Sequence, residues 1–164
     1  MTENGPDKFD EINLVENKFN SGWAKILGPI KDQNLEKIPP YEDYVYSDPE
    51  FSWELPIGIT AIDFNNNSFQ THQNSLFVAD SNNGNIYVLK LNQDRNGFEF
   101  KSKHLKDLIV NIDPENTYGN FHESMTEILF AKNIGVITDM KFGPDGNLYV
   151  VSIMEGTIYQ ISLS

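Results

Sequence analysis

Apolar and polar residues alternate in short runs along most of this chain, and clusters of Asn, Asp, Gly and Pro separate the runs. Alternation with a period of two indicates β-strands with one buried face, whereas an amphipathic helix needs apolar residues three and four positions apart. Helical spacing of that kind is hard to find in the sequence. The pattern therefore predicts an all-β protein whose short strands are joined by tight turns.

Two stretches of the chain repeat each other without a gap, 72 residues apart. NSLFVADSNNGNIYVLKLN begins at Asn74, and GNLYVVSIMEGTIYQISLS begins at Gly146. Each copy reads as a strand, a turn and a second strand, with Gly84 and Gly156 placed where a hairpin needs a positive φ. GITAIDF and GVITDMKF add one strand before each hairpin, and FEFKSKHLKDLIV after the first copy could supply a fourth, outer strand. Each repeat therefore predicts a meander of consecutive antiparallel strands.

Meanders that repeat along a chain are typical of the blades of a β-propeller, although short strands alone are also compatible with a jelly roll or a Greek-key sandwich. The gapless repeat favours the propeller. DEINLV, from Asp10 to Val15, fits the last strand of such a unit, and TENGPDKF fits the turn before it. On this interpretation the chain enters its first blade near the end of that blade. We therefore expect either further amino-terminal blades or self-association that covers the open edges.

The charge of the chain limits the classes of partner. Its 164 residues include 24 acidic and 12 basic side chains, which gives a formal net charge of −12. A field of this sign repels nucleic acids and anionic membrane surfaces, so neither is expected as a partner. No apolar run approaches the roughly 18 residues of a membrane span, and the polar, acidic amino terminus does not resemble a signal peptide. Cysteine is absent, which excludes disulfides and thiolate metal sites.

The order of several motifs resembles that of the soluble glucose/sorbosone dehydrogenases, which use pyrroloquinoline quinone. ENGPDKFDEINLVENKFNSGW, from Glu3, combines a Gly-Pro turn, an Asp-Glu-hydrophobic-Asn strand and an Asn-x-Gly-Trp sequence; FSWELPIGITAIDF and the two hairpins follow it. The family fold is a six-bladed propeller, so the resemblance implies a partial propeller of antiparallel four-stranded blades, about two and a half of them, from its carboxy-terminal part. Residues 1–164 would then comprise the end of a truncated blade (1–29), a connecting segment (30–52) and two blades (53–112 and 113–164).

The resemblance also implies a function and a metal site. Members of this family oxidise the anomeric carbon of an aldose and pass two electrons to pyrroloquinoline quinone with the help of Ca²⁺. Backbone carbonyls of the family's Gly-Pro turn bind a calcium ion that contacts the quinone, and Gly5 and Pro6 match that turn. Glu11 matches an acid that helps to bind a second, structural calcium in some members. Backbone and carboxylate oxygens are ligands that Ca²⁺ prefers. Such proteins are typically periplasmic or secreted.

No catalytic residue is assigned in this chain. The family's general base is a histidine in the amino-terminal half of the fold, which this sequence does not match. The chain's own histidines, which are His72, His104 and His122, stand in polar contexts without partners at triad or ligand spacing. We therefore expect them to be surface residues.

Three further positions depart from the family pattern. Asn82, Val136 and Thr138 stand where the glucose-oxidising members carry the basic side chains that hold the quinone carboxylates. The loss of such charge-assisted contacts weakens the expectation of tight quinone binding. We expect a fragment of a quinone-dependent sugar dehydrogenase that is inactive by itself, and a non-catalytic propeller module that binds proteins or glycans stays open as the alternative.

Overall fold

The computed structural model describes residues 1–30, 43–65, 69–103, 105, 109–110 and 126–162. This part of the chain is nearly all β, as the alternating pattern predicts. Its strands are β1 (Thr2–Glu3), β2 (Asp10–Ile12), β3 (Phe19–Asn20), β4 (Val45–Tyr46), β5 (Phe51–Trp53), β6 (Ile59–Asn65), β7 (Ser75–Asp80), β8 (Ile86–Lys90), β9 (Ile109–Val110), β10 (Leu129–Ala131), β11 (Ile137–Phe142), β12 (Leu148–Ser152) and β13 (Thr157–Ile161). A short 3-10 helix covers Gln70–His72. None of the helical turns in these ranges is long and apolar enough to cross a membrane.

The strands form three larger sheets and one small pair. The first sheet has the order β1-β2-β5-β9, the second sheet β6-β7-β8-β10, and the third sheet β11-β12-β13, while β3 pairs with β4. Neighbouring strands are antiparallel except in the pairs β3–β4 and β5–β9. The second sheet is thus a complete four-stranded antiparallel unit of the predicted kind.

The pairing register confirms the sequence repeat. Val78 pairs with Tyr87 in the second sheet, and Val150 pairs with Tyr159 in the third. Both residues of the second pair lie 72 positions after their counterparts, so the gapless alignment corresponds to equivalent positions in two successive sheets. A turn closes the preceding strand of the third sheet at Gly143, whose carbonyl accepts a hydrogen bond from Gly146 N–H at 3.0 Å.

The core lies between the sheets, in two layers. Large side chains fill the layer between the first and second sheets, among them Trp53, Tyr87 and Leu89, all fully buried. The layer between the second and third sheets contains Phe77, Met140 and other buried residues. Asp63 on β6 also accepts hydrogen bonds from Lys141 Nζ at 2.8 Å and from Phe142 N–H at 2.7 Å, which joins the inner strands of two sheets. Sheets that stack face to face in chain order are the blades of a β-propeller.

Two details differ from the sequence-based expectation. The outer strand of the second sheet is β10. In the described part of FEFKSKHLKDLIV, Phe98 makes a single antiparallel bridge with Leu91, and Ile109–Val110 forms β9, which joins the first sheet. Phe98 and Phe100 of that stretch instead pack their rings against Phe51, with centroids 6.3 and 5.5 Å apart. In addition, Thr2–Glu3 is a strand, so the predicted turn begins only after it. The sheets therefore do not coincide with the expected segments 53–112 and 113–164. Trp53 of β5 belongs to the first sheet, and β10 belongs to the second.

Candidate functional site

The connections at one end of the three sheets form a continuous surface, which we call the loop face. Its segments are 4–9, 54–58, 81–85, 132–136 and 153–156. Neighbouring segments are hydrogen-bonded to each other: Asn82 Nδ2 donates to Pro56 O at 3.1 Å, and Ile134 N–H donates to Gly84 O at 2.9 Å. The turn with the predicted metal ligands and the hairpin with Asn82 thus lie on the same face of the molecule.

Asp10 holds the Gly5–Pro6 turn on this face. Its side chain is fully buried, and its Oδ1 accepts a hydrogen bond from Gly5 N–H at 3.0 Å. Its Oδ2 accepts hydrogen bonds from Ile57 N–H at 2.8 Å and Gly58 N–H at 2.6 Å. One carboxylate therefore ties the turn of the first sheet to the segment that enters the second sheet, while Pro6 stays exposed.

Glu11 lies on the opposite face of the first sheet, because successive residues of a strand point to opposite sides. The antiparallel register places Glu3 of β1 and Ser52 of β5 directly opposite Glu11, one on each side. Two like charges in such a cross-strand pair are destabilising unless something compensates them. Ser21 Oγ donates to Glu3 Oε1 at 3.1 Å, which supplies a hydrogen bond but no positive charge.

Two buried oxygens beside these acids have no hydrogen-bond partner. Gly28 N–H donates to Glu11 Oε1, and Asn13 Nδ2 lies 3.4 Å from Glu11 Oε2 and 3.5 Å from Glu3 Oε2. Asn13 Oδ1 and Ser52 Oγ are buried without any partner. We call Glu3, Glu11, Asn13 and Ser52 the Glu3–Glu11 cluster. Unpaired buried polar atoms are rare in proteins and usually indicate an unseen water or ion.

The surroundings of Glu11 disfavour the ionised form of its carboxyl group. Burial raises the pKa of Glu11, hydrogen bonds from Gly28 and Asn13 oppose this effect, and the charges of Glu3 and Asp48 raise the pKa further. Within the described ranges no group of three or more His, Cys, Asp or Glu side chains is arranged for a metal ion. The cluster offers two carboxylates and uncharged oxygens instead. That donor set fits a hard divalent cation such as Ca²⁺, which binds carboxylate, amide and hydroxyl oxygens.

The structure therefore separates the predicted metal residues into two places. Gly5 and Pro6 lie on the side of β2 that faces the second sheet, where Asp10 fixes them. Glu11 lies on the other side, beneath the segment that contains Gly28. Gly5 and Pro6 therefore do not lie in one place with Glu11.

A shallow pocket of about 370 Å³ lies on the loop face between the second and third sheets. Asn82 and Val136 both line it, together with Gly84, Gly135 and Glu155. Thr138 does not line the pocket; it lies exposed on β11. Two of the three positions at which the family pattern has basic residues thus meet in one pocket, and the charged side chain in its lining is an acid.

His72 lies away from the loop face, in the connection between β6 and β7. Burial lowers the pKa of its imidazole, and Nδ1 lies 2.8 Å from Thr71 Oγ1. The ring packs edge-on against Phe77 and Phe130, with centroids 6.0 and 5.4 Å away. His104 and His122 lie outside the described residues. His72 is thus a half-buried packing residue rather than the simple surface histidine that the sequence suggested.

Sequence reasoning identified Glu11 but missed Glu3, Asn13 and Ser52. Nothing in their local patterns indicates a site, because each is an ordinary polar residue in or beside a strand. Only the pairing register of β1, β2 and β5 brings them together. A signal for Asn13 was available, since it lies two residues after Glu11 and therefore on the same face of the strand.

Comparison with known proteins identifies a family. Residues 1–160 match the family model described as Glucose / Sorbosone dehydrogenase. No curated protein sequence gave a significant match.

Solved structures share the fold. The chain is similar to a structure described as glucose dehydrogenase, with a TM-score of 0.64 and 18% identity over 99% of this chain and 40% of that one. It is also similar to the soluble aldose sugar dehydrogenase from Escherichia coli in its apo form, with a TM-score of 0.56 and 20% identity over 91% of this chain and 36% of that one. At these identities the likeness concerns the fold. The chain spans less than half the length of either protein.

Proposed function

Because this chain belongs to the glucose/sorbosone dehydrogenase family, we propose that it is one sector of a sugar dehydrogenase-like propeller that binds calcium and does not oxidise sugars by itself. The observation that carries the proposal is the Glu3–Glu11 cluster, in which two opposed carboxylates and two unpartnered buried oxygens lie together. In a complete protein of the family the reaction would be oxidation of an aldose at its anomeric carbon.

The exposed side of the third sheet supports the idea of a sector. Phe77, Ala79 and Ile86 of the second sheet are fully buried against the third sheet. Their counterparts 72 residues later lie on the third sheet's other side, which we call the open face and which consists of Tyr149, Val151, Ile158 and Gln160. Ile158 is 67% exposed there. A face that repeats a buried pattern fits a further blade packed against it.

A calcium ion in the Glu3–Glu11 cluster would be held by the carboxylates of Glu3 and Glu11, by Ser52 Oγ and, once the amide of Asn13 turns its oxygen toward the acids in place of Nδ2, by Asn13 Oδ1. The ion would supply the positive charge that the opposed acids lack and would satisfy both orphaned oxygens. Because Gly28 also binds Glu11, the ion would link the first sheet to the segment that covers it. Its expected effect is therefore structural.

Gly5 and Pro6 are proposed as backbone ligands of a separate calcium ion, by resemblance to the family's Gly-Pro turn. The fixed position of the turn supports this role. Asp10 accepts a hydrogen bond from Gly5 N–H and does not engage the carbonyl oxygens of the turn. A built Cβ on Gly5 would lie 1.8 Å from Lys8 O, so only glycine fits this turn. Calcium, when bound there, would polarise a carbonyl of the bound substrate or cofactor.

The described part of the chain does not fit the family's quinone. Asn82 and Val136 offer no positive charge to its carboxylates, and Glu155 adds a negative one. No histidine of the described ranges reaches the loop face, so the family's type of general base is not placed there by this part of the chain. We therefore expect the chain alone to be inactive as a quinone-dependent dehydrogenase.

Thermal unfolding with and without Ca²⁺ tests the calcium proposal. A ligand that binds only the folded state stabilises it by RT ln(1 + [L]/Kd), so the unfolding midpoint should rise saturably with Ca²⁺. Mg²⁺ should act more weakly, because it requires near-ideal octahedral geometry. The Glu11→Gln variant should lose the part of the rise that comes from the Glu3–Glu11 cluster, whereas Asp94→Asn, an exposed control away from both proposed calcium sites, should keep the full rise. An equal rise in wild type and Glu11→Gln would contradict the assignment.

The inactivity of the chain is tested separately. The purified protein, with pyrroloquinoline quinone, Ca²⁺ and glucose, should give no aldose-dependent reduction of a redox dye. Dye reduction above that of a heat-unfolded sample would contradict the proposal that the chain lacks the catalytic machinery.

A non-catalytic module that binds glycans or proteins is the second candidate function. The uncharged and acidic lining of the loop-face pocket favours it. Binding of aldoses without any dye reduction, also in a longer chain that carries further blades, would support this alternative over the enzyme.

A further inference from the structure

We infer that the charge of the loop-face pocket is opposite to the one that the family pattern has at this place, where basic side chains stand. The pocket therefore excludes polycarboxylates, including the quinone, and accepts ligands that donate hydrogen bonds and carry no negative charge. The proposed function concerns calcium binding and catalysis, whereas this inference concerns the class of ligand that the loop face selects. It rests on the arrangement of three loops from two successive sheets.

The floor of the pocket is backbone. Ile134 N–H donates to Gly84 O at 2.9 Å, and a Cβ built on Gly84 would lie 2.4 Å from Gly135 O. The two glycines therefore bring the hairpin of the second sheet and the entry to the third sheet into contact. Side chains next to these glycines, Asn82 and Val136, stand on either side of the floor.

Asn82 and Glu155 present hydrogen-bond acceptors beside this floor. Asn82 already uses its amide nitrogen on Pro56 O, and its Oδ1 lies 3.4 Å from Ser81 Oγ. Glu155 extends over the floor, since a Cβ built on Gly135 would lie 3.3 Å from Glu155 Cγ and 3.7 Å from Oε1. A carboxylate can only accept hydrogen bonds, so it favours O–H or N–H groups of a ligand.

The charge balance excludes an anion. None of the residues that line the pocket in the described ranges is Lys or Arg, while Glu155 is acidic and the chain carries a net charge of −12. A ligand with several carboxylates would lose hydration and meet a like charge, which is unfavourable at short range. A polyol or an amine meets no like charge there.

Reversal of the pocket charge tests the inference directly. The probe is pyrroloquinoline quinone, followed by equilibrium dialysis and its absorbance, with citrate as a second polycarboxylate that has no redox chemistry. Wild type should bind neither detectably. The triple variant Asn82→Lys, Val136→Arg and Glu155→Gln should bind both at least about 100-fold more tightly, because two charge-assisted contacts are gained and one repulsion is lost.

A matched control separates local from global charge. Glu16→Gln, Gln93→Lys and Asp94→Asn change the net charge by the same amount at exposed positions away from the loop face. This variant should not bind either probe. Three outcomes would each overturn the inference. These are tight binding of a probe by wild type, equal binding by the two triple variants, and no gain in affinity in the pocket variant when its unfolding midpoint is unchanged. The Ca²⁺-dependent rise in midpoint, measured on the same samples, reports the proposed function independently.

Discussion

At the residue scale, β2 places two adjacent acids in opposite situations. Asp10 accepts three backbone N–H groups, which satisfy a buried carboxylate without a cation. Glu11 accepts one backbone N–H and faces Glu3 across the strand pair. Two buried acids of one strand therefore differ in their surroundings: backbone N–H groups satisfy Asp10, which fixes a turn, whereas Glu11 faces a second acid.

Asp10→Asn should destabilise the chain. The amide replaces one acceptor oxygen with an N–H₂ group that would point at backbone N–H donors, so at least one buried donor loses its partner. Hydrogen bonds to charged groups contribute about 1.5–3 kcal/mol each, and we expect a loss of about 2–4 kcal/mol in the free energy of unfolding. Urea unfolding followed by circular dichroism measures it. Asp7→Asn, which is exposed in the same turn, should change stability by less than about 0.5 kcal/mol. Equal effects of the two substitutions would refute the role of Asp10.

Asp80 should give the chain a pH dependence. Burial raises the pKa of this carboxyl above its ordinary 3.8, although Tyr87 OH and Asn83 N–H, both 2.7 Å away, oppose the shift. The folded state then holds a proton that the unfolded state has released, so the unfolding free energy falls as pH rises from about 3.8 through the folded pKa. Unfolding in urea at several pH values without divalent ions should show this slope, and Asp80→Asn should flatten it. An unchanged slope in the variant would contradict the assignment to Asp80.

At the element scale, the two hairpins carry apolar residues at equivalent positions on the same side of their sheets. The side of the second sheet that carries Ile86 is covered by the third sheet, whereas the equivalent side of the third sheet leaves Ile158 exposed. Equivalent positions in successive elements are thus buried or exposed according to the presence of a neighbour. This difference allows a matched pair of substitutions.

Ile158→Lys should leave the stability of the isolated chain within about 0.5 kcal/mol of wild type, whereas Ile86→Lys should lose more than about 4 kcal/mol because it buries an unpaired charge. Ile158→Lys should also reduce any concentration-dependent association, since Ile158 is an exposed apolar side chain on the open face. Sedimentation velocity at several concentrations measures association. Strong destabilisation by Ile158→Lys would show that the open face is already covered within the chain.

The glycines of the two hairpins should differ as well. Gly84 and Gly156 both have positive φ, at 65° and 57°. A Cβ on Gly84 would contact Gly135 O at 2.4 Å, whereas a Cβ on Gly156 has nothing within 4 Å. Gly156→Ala should therefore cost only backbone strain, about 1–2 kcal/mol, and Gly84→Ala should cost about 2–4 kcal/mol, since the steric clash adds to the strain. Comparable losses in urea unfolding would contradict the close approach of the two loops.

The elements that could be predicted from sequence are those with strong local patterns. The strands around Val78 and Val150 follow from alternation, their turns from glycine, and their equivalence from the repeat, and all three predictions are confirmed. The outer strands could not be predicted, because β9 and β10 are two and three residues long and their pairing depends on distant segments. The same limit applies to the candidate site: Glu11 was proposed from the family resemblance, whereas Glu3 and Ser52 lie beside it only through cross-strand register.

At the scale of the whole molecule, self-repulsion should make stability depend on ionic strength. Acidic side chains outnumber basic ones by 24 to 12, and the described residues contain two ion pairs, Lys90–Glu99 and Lys141–Asp63, both with a largely exposed lysine. Exposed pairs contribute little, so salt that screens them removes little stability. Salt that screens repulsion among the acids acts in the opposite direction, and the Debye length falls from about 30 Å at 0.01 M to about 3 Å at 1 M.

The unfolding midpoint in NaCl should therefore rise between those two concentrations, by several degrees, with most of the change below about 0.2 M, where screening changes most at the distances between surface charges. A variant with Asp7→Asn, Glu16→Gln and Asp94→Asn, which removes three exposed negative charges, should start from a higher midpoint in dilute salt and show a smaller rise. Chelator in every sample keeps trace Ca²⁺ from contributing through the Glu3–Glu11 cluster. A midpoint that is flat or falls with salt in wild type would mean that the acids are compensated locally, and the excess negative charge would then have no net effect on folding.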